Sequence, residues 1–235
     1  MRTVKVLFIA ATLVCANMAF ASDKPSLGVA EFTNDTQASW WYSDVGRDLA
    51  SMLTNELAAT EKFKVVERAK LGKVLEEQDL AEAGRVSKKT GAKIGKLTGA
   101  QYLVYATVTA FDTNTAGTGG GLSFKGISIG GKKEDAYLAV DLRVVDTTTG
   151  EVEFTRTIEG RATSYGVSGG LSRGGFSGGL GKYEKTPTGK AIRAAIIEIT
   201  DYLSCAMVDK DDCLAAYKAK EKSRRDKSKS TLKLE

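Results

Sequence analysis

The sequence predicts an α+β fold: a small sheet with helices packed on it, extended by two glycine-rich β-hairpins. Three observations predict it. Segments 45–57 and 192–203 repeat apolar residues at helical spacing. Segments 101–111, 137–145 and 151–167 carry apolar residues at alternate positions. The 25 glycines crowd into 117–131 and 160–189. A stripe of period 3.6 and an alternation of period 2 both mark one buried face, of a helix and of a strand respectively. Helices segregated onto one sheet define the α+β class.

The elements follow in order. Leu27 to Thr33 (LGVAEFT) is a short apolar run that reads as a buried first strand. The irregular segment NDTQASWWY comes next. Ser43 or Asp44 then supplies a helix cap, and Val45, Leu49, Met52, Leu53 and Leu57 form one apolar stripe to about Thr60. Phe63 to Glu67 is a second short strand. Lys70 to Leu80 is a helix with Leu71, Val74 and Leu75 on one face, and Ala92 to Leu97 is a helical turn. In the strand that follows, Tyr102, Val104, Ala106 and Val108 alternate with Leu103, Tyr105 and Thr107. Leu138, Val140, Leu142 and Val144 oppose Asp141 and Arg143 in the next. Asp146 to Gly150 (DTTTG) closes a hairpin onto a strand with Val152, Phe154 and Ile158 on one face. A last helix starts near Thr188 behind Pro187, which suits a first helical turn. Ile192, Ala195, Ile196, Ile199 and Leu203 form its stripe.

The N-terminus reads as an export signal, residues 1–21. Arg2 and Lys5 precede an apolar run from Val6 to Val14, and Ala19-Phe20-Ala21 is a small-x-small cleavage site. The run is about half of the roughly 20 residues that a spanning helix needs. Val14 is a poor residue before a lipidated Cys15. Beyond the signal, Cys205 and Cys213 remain, and outside the cytosol an even count favours a disulfide over two free thiols. The formal charge of +5 is accounted for by 218–235, which holds eight basic and three acidic residues. That basic tail is expected to be disordered beyond a domain spanning 22–217. A nucleic-acid binder carries its basic surface on the folded domain, so no nucleic-acid partner is expected.

The hairpins are placed at about 112–138 and 160–186. In the first, Leu122, Phe124, Ile127 and Ile129 alternate with small or polar residues, with a slip at Gly126 and a polar centre at Lys132 to Asp135. In the second, Tyr165, Val167 and Leu171 lead up to Ser172-Arg173-Gly174, and Phe176 and Leu180 lead down. Apolar residues alternating with small ones resemble the weak pattern of transmembrane β-hairpins. Glycine weakens strands, and soluble Gly/Ser loops are the other reading of the same residues. Neither stretch is a phosphate cradle, because Gly181-Lys182 is followed by Tyr183 and not by Ser or Thr.

Catalysis is not expected. Without histidine the chain has no conventional Ser-His-Asp or Cys-His nucleophile system. Two cysteines fall short of a structural zinc site, so neither metal nor cofactor is expected.

The segments VAEFTNDT, SDVGRDLASMLTNEL, FKVVERAKLGKVLEEQ, LTGAQYLVYATVTAFDT, AVDLRVVDTTTGEV and TSYGV resemble the curli production assembly/transport component family. The resemblance runs from Leu27 to about Leu203. It implies a periplasmic α+β domain that forms a homo-oligomeric ring, in which each subunit adds two hairpins to one shared outer-membrane β-barrel. It implies a passive channel whose partners are unfolded exported polypeptide, such as curli-like fibre subunits, and accessory assembly proteins. The loop after the first strand, 34–43, would form the pore constriction, with Trp40, Trp41 and Tyr42 as its ring. The bland reading of the tryptophans is that they cover the core beside the helix. A soluble periplasmic adaptor or regulator of envelope assembly, built on the same domain, is the other function these residues leave open.

Overall fold

The computed structural model describes residues 24–124, 127–168 and 186–231. The signal segment, and with it Leu171, Phe176 and Leu180 of the second hairpin, lie outside the described residues. The chain runs β1 (Ser26–Val29), β2 (Thr33–Asn34), α1 (Val45–Ala59), β3 (Lys64–Val66), α2 (Leu71–Glu82), β4 (Tyr102–Phe124), β5 (Ile127–Asp146) and β6 (Val152–Ser168). It continues through α3 (Pro187–Leu203), a π-helical turn (Ser204–Asp209) and α4 (Cys213–Thr231).

One mixed sheet has the order β3-β1-β4-β5-β6, with β2 paired to β4 beyond the end of β1. β1 is parallel to both neighbours, and β4, β5 and β6 form an antiparallel meander. A central parallel strand is covered on both faces, which is why Leu27, Gly28 and Val29 are all buried. Gly28 leaves its space to the Arg68 side chain, whose Cγ would lie 2.6 Å from any added Cβ.

α1 and α3 cover one face of the sheet. Val45, Leu49, Ala50, Leu53 and Leu57 from α1 meet Ala191, Ile192, Ala195, Ile196, Ile199 and Leu203 from α3. Beneath them lie Val104, Ala106 and Val108 of β4, Leu138, Val140, Leu142 and Val144 of β5, and Ile158 of β6. Each large aliphatic residue buried in this layer contributes about 1.5–3 kcal/mol. α3 starts as the sequence implies: Thr186 caps it by accepting from the Gly189 N–H at 3.1 Å, and Pro187 follows. At α1, Asp44 holds the cap position but its carboxylate pairs with Arg47 instead of the helix amides.

The DTTTG turn has a local cause. The Asp146 carboxylate accepts from the Thr148 and Thr149 N–H groups at 2.7 and 3.0 Å, which holds its pKa below the usual carboxylate range. Gly150 takes φ +77°, a conformation that favours glycine.

Several expectations are corrected. Residues 92–97 form irregular chain, not a helical turn. α2 fully buries none of its residues; of the face made by Leu71, Val74 and Leu75, only Leu71 is half-buried. Val152 is exposed because it opens β6 beside the turn, where a register shift separates Val144 from Val145. The basic segment expected as disordered is helical from Cys213 to Thr231. β4 and β5 pair without a break in strand from Tyr102↔Asp146 out to Phe124↔Ile127. The polar stretch Lys132 to Asp135, expected as the centre of the first hairpin, therefore lies along β5, and Gly126 lies outside the described residues.

Candidate functional site

The loop 34–43 is built by its own polar residues. The Asn34 carboxamide oxygen accepts from the Thr36 N–H at 3.0 Å and the Thr36 hydroxyl at 2.7 Å, while its amide donates to the Thr36 carbonyl at 3.0 Å. The Thr36 hydroxyl in turn accepts from the Ala38 N–H at 3.2 Å. The Asp35 N–H donates to the Val108 carbonyl at 2.9 Å, and Thr33 and Thr107 share a hydroxyl hydrogen bond of 2.7 Å. Such short-range Asx-type turns fix a loop without a core of its own.

The three aromatics of this loop take different places. Trp40 is 3% exposed and belongs to the hydrophobic core. It meets Trp41 edge-on at 5.6 Å between ring centroids, and Phe111 of β4 edge-on at 5.4 Å. Its indole N–H has no hydrogen-bond partner among the described residues. Trp41 is half-buried, and Tyr42 is 39% exposed. Trp40 thus anchors the loop to β4, and the aromatic surface left to solvent is that of Trp41 and Tyr42.

The loop stands at the base of the long hairpin. β2 pairs with Thr107 and Val108, and Phe111 follows three residues farther along β4. Farther out, Leu122 pairs with Ile129 and Phe124 with Ile127. On the other side of β5, Tyr165 of β6 pairs with Lys133 and Val167 with Gly131. Leu122, Phe124, Ile127 and Ile129 of the first hairpin and Tyr165 and Val167 of the second thus belong to one sheet.

A second constellation fastens α4. A disulfide joins Cys205 in the π-helical turn to Cys213, the first residue of α4, with Cα atoms 6.0 Å apart. Lys210 takes φ +51° between them and donates its N–H to the Cys205 carbonyl at 2.8 Å. The Arg156 guanidinium lies over Tyr202 at 5.0 Å and Tyr217 at 4.8 Å, and donates to the Tyr217 carbonyl at 3.0 Å. Burial, with Glu198 and Asp201 nearby, pushes the Tyr217 phenol up to about 12, and burial also raises Tyr202. Glu221 is lowered by its bond to Arg224, at 2.8 and 2.9 Å.

A family model described as curli production assembly/transport component CsgG matches residues 10–232. The chain belongs to the CsgG family. The Escherichia coli (strain K12) protein of that description is 27% identical over 140 residues, which cover 58% of this chain and 50% of that protein. The Salmonella typhimurium (strain LT2) protein matches with the same identity and coverage. The chain thus spans about half the length of these curated relatives. Among solved structures it is similar to the hypothetical protein CT253 from Chlamydia trachomatis, with a TM-score of 0.45 and 13% identity, covering 79% of this chain and 99% of that one.

Two parts of this CsgG-family chain escape a reading of its residues alone. Arg156 falls at the same parity as the apolar Phe154 and Ile158, and a charge on an apolar face is the signal that marks it. Phe111 falls outside the even-numbered alternation of β4, because a register shift between Val108 and Ala110 moves it onto the face of its partner Leu138.

Proposed function

We propose that this chain is a subunit of an oligomeric outer-membrane channel that passes unfolded polypeptide, and that it does so without catalytic chemistry. The observation that carries the reading is the continuity of β4, β5 and β6 from the helix-covered core into the glycine-rich extension. Past Asp112 and Tyr137, β4 and β5 each retain roughly ten residues, the length a tilted transmembrane strand needs. One subunit cannot close such strands in hydrocarbon, because open edges leave backbone groups unpaired. Closure therefore requires neighbouring copies, as a homo-oligomeric ring provides. Accessory envelope proteins are its expected partners, beside the exported polypeptide.

In this reading, loop 34–43 narrows the lumen at the base of the barrel. Trp41 and Tyr42 offer broad, sequence-tolerant aromatic contact to an extended chain, and Trp40 holds them in place. Once such hairpins enter a barrel, Phe124, Ile129, Val167, Leu171, Phe176 and Leu180 are the residues expected to face lipid.

The test is fractionation and imaging of the native protein, with conductance measured in planar bilayers. Rings in outer-membrane extracts that conduct are expected, whereas a soluble, non-conducting monomer would transfer the domain to the adaptor role. Phe176→Lys sharpens it. A lysine facing lipid near the midplane costs about 2–4 kcal/mol per subunit, so this variant should keep its helical circular dichroism and lose conductance. Parental conductance from Phe176→Lys would end the hairpin assignment.

A further inference from the structure

Resting on the channel reading, we propose that α4 is a juxtamembrane arm whose basic end binds anionic phospholipid headgroups at the foot of the barrel. The course of the helix leads there. Its start is fastened by the Cys205–Cys213 disulfide, and the Tyr217 carbonyl accepts from Arg156 of β6. Two turns later, Lys220, Glu221 and Arg224 line one cleft with Arg156 and Glu159 of β6. Arg224 lies close enough to Glu159 and to the Tyr137 phenol for its charge to act on both. From Tyr217 to Arg224 the helix therefore advances along β6 toward the glycine-rich extension. Tyr137 pairs with Asp112 on one side and Arg161 on the other, and the strands assigned to the membrane begin beyond this row. From Arg225 to Thr231 the helix adds roughly 10 Å. Glu159 to Arg161 spans only about 7 Å of strand. A helix that holds its course ends at the membrane surface.

Charge changes sign along that course. Asp209, Asp211 and Asp212 stand at the start, whereas Lys218 to Thr231 holds seven basic residues and two acidic ones. Leu214, Tyr217, Glu221 and Arg224 are the half-buried positions and mark the inner side of the helix. Lys218, Lys222, Arg225 and Lys229 recur at i, i+4, i+7 and i+11, and all four are exposed. They form one stripe about a quarter-turn from the inner side. Both carboxylates of the helix, Glu221 and Asp226, fall outside it. The acidic groups that α4 passes are engaged: Glu198 by Lys220, Glu159 by Arg161 and Asp141 by the Thr157 hydroxyl. On the strands around the Tyr137 row the charges balance, Lys132, Lys133 and Arg161 against Asp112, Glu134 and Asp135, so the excess is that of α4.

The surroundings select the occupant. Arg161 lies over the Tyr137 ring at 5.0 Å, and a tyrosine with a basic neighbour suits the headgroup level. From Lys218 on, α4 has no apolar face, so it adsorbs by charge and does not insert. A basic residue beside an anionic lipid surface is worth roughly fivefold in binding. The exported polypeptide fits less well, because loop 34–43 is held on β4 and α4 on β6, at the end of the sheet.

The test measures binding of the full chain to vesicles of phosphatidylcholine alone and of phosphatidylcholine with phosphatidylglycerol. The parent should prefer the anionic vesicles, and the preference should fall with salt. Lys222→Gln/Arg225→Gln/Lys229→Gln should cut it by roughly a hundredfold, three residues at about fivefold each, with the parental helix signal retained. Lys88→Gln/Lys89→Gln/Lys93→Gln removes the same charge far from α4 and should leave the preference unchanged. A benzophenone side chain in place of Ser230 should cross-link to phospholipid, and one in place of Ala216 should not. The proposal is overturned if the parent binds both vesicles equally, if the α4 variant keeps the parental preference, or if the control variant loses as much. It is also overturned if the Ser230 position cross-links only to protein, whether a second copy or the exported polypeptide. Conductance separates this from the channel reading. A chain that conducts without preferring anionic vesicles refutes the α4 arm and keeps the channel. A preference lost in the α4 variant of a chain that never conducts supports the arm and refutes the channel.

Discussion

Gly160 is where β6 passes closest to α3, and replacing it with alanine gives a sharp test of how the helix is seated. An added Cβ would sit against the carbonyl oxygen of Ala191, far inside contact distance, and 3.1 Å from the Cβ of Ala195. The obstacle is helix backbone, which no rotamer change can move aside. α3 would have to retreat by roughly 1 Å, and a gap of that size forfeits a quarter to a half of the dispersion attraction across it. The loss falls on the Ile192, Ala195, Ile196 and Ile199 stripe that closes the core over β5 and β6. Overpacking of this kind costs about 1–3 kcal/mol, and the rigid obstacle puts Gly160→Ala at about 3 kcal/mol. For a domain of this size that lowers Tm by roughly 6–12 °C. The assay is thermal unfolding followed by circular dichroism, with Gly99→Ala as the control, since an added Cβ there meets nothing within 4 Å. If Gly160→Ala melted within about 2 °C of the parent, α3 would not be seated on β6 as described.

Other outcomes follow from the same contacts. Removing the Cys205–Cys213 bridge with Cys205→Ala/Cys213→Ala releases an eight-residue separation, worth about 2.5 kcal/mol in loop-closure entropy; Tm should fall by roughly 5–10 °C, and hydrogen exchange should show the loss first in α4. Tyr217 keeps its proton in the folded state up to about 12, against about 10 when unfolded. Its contribution is therefore fully present below about pH 10 and lost as pH rises through about 12, and Tyr217→Phe should flatten the fall in unfolding free energy across that window. Trp40→Ala should cost about 3–5 kcal/mol as a buried aromatic truncation, while Tyr42→Ala should leave Tm unchanged and raise single-channel conductance.

The parts legible in the sequence are those where one face is buried and the other wet. α1, α3 and the inner halves of β4 and β5 announce themselves because a repeat of period 3.6 or 2 is the direct imprint of a covered face. α4 left no such imprint. From Lys218 on its residues are almost all polar, so composition resembles that of a solvated tail, and what fastens its first turns is contact elsewhere: the disulfide, Leu214 and Tyr217 packed against the core, and the Arg156–Tyr217 contact. α2 misled in the opposite sense. Its apolar stripe is real, but among the described residues it is only partly covered: Leu71 is half-buried, and Val74 and Leu75 stay exposed. The aromatic triplet was legible as a group and not residue by residue, since neighbouring aromatics carry no signal of which one turns inward.

The register shift in β4 ties the aromatic loop to the hairpin. Up to Val108 the residues Val104, Ala106 and Val108 pair with Val144, Leu142 and Val140, all beneath the helices. Without an extra residue, the same face would next take Ala110, and Phe111 would point away from the core. The shift between Val108 and Ala110 reverses that parity. Phe111 then joins Leu138 on the core face and receives Trp40, while the Val108 carbonyl accepts from Asp35 at the start of the loop. The loop is therefore held at the point where β4 changes register, and the strand keeps that register from Ala110 out to Thr118, where a second shift follows. In the proposed channel, the aromatic loop and the long strands must be placed relative to each other within one subunit before neighbours arrive. Here one irregularity in one strand sets both.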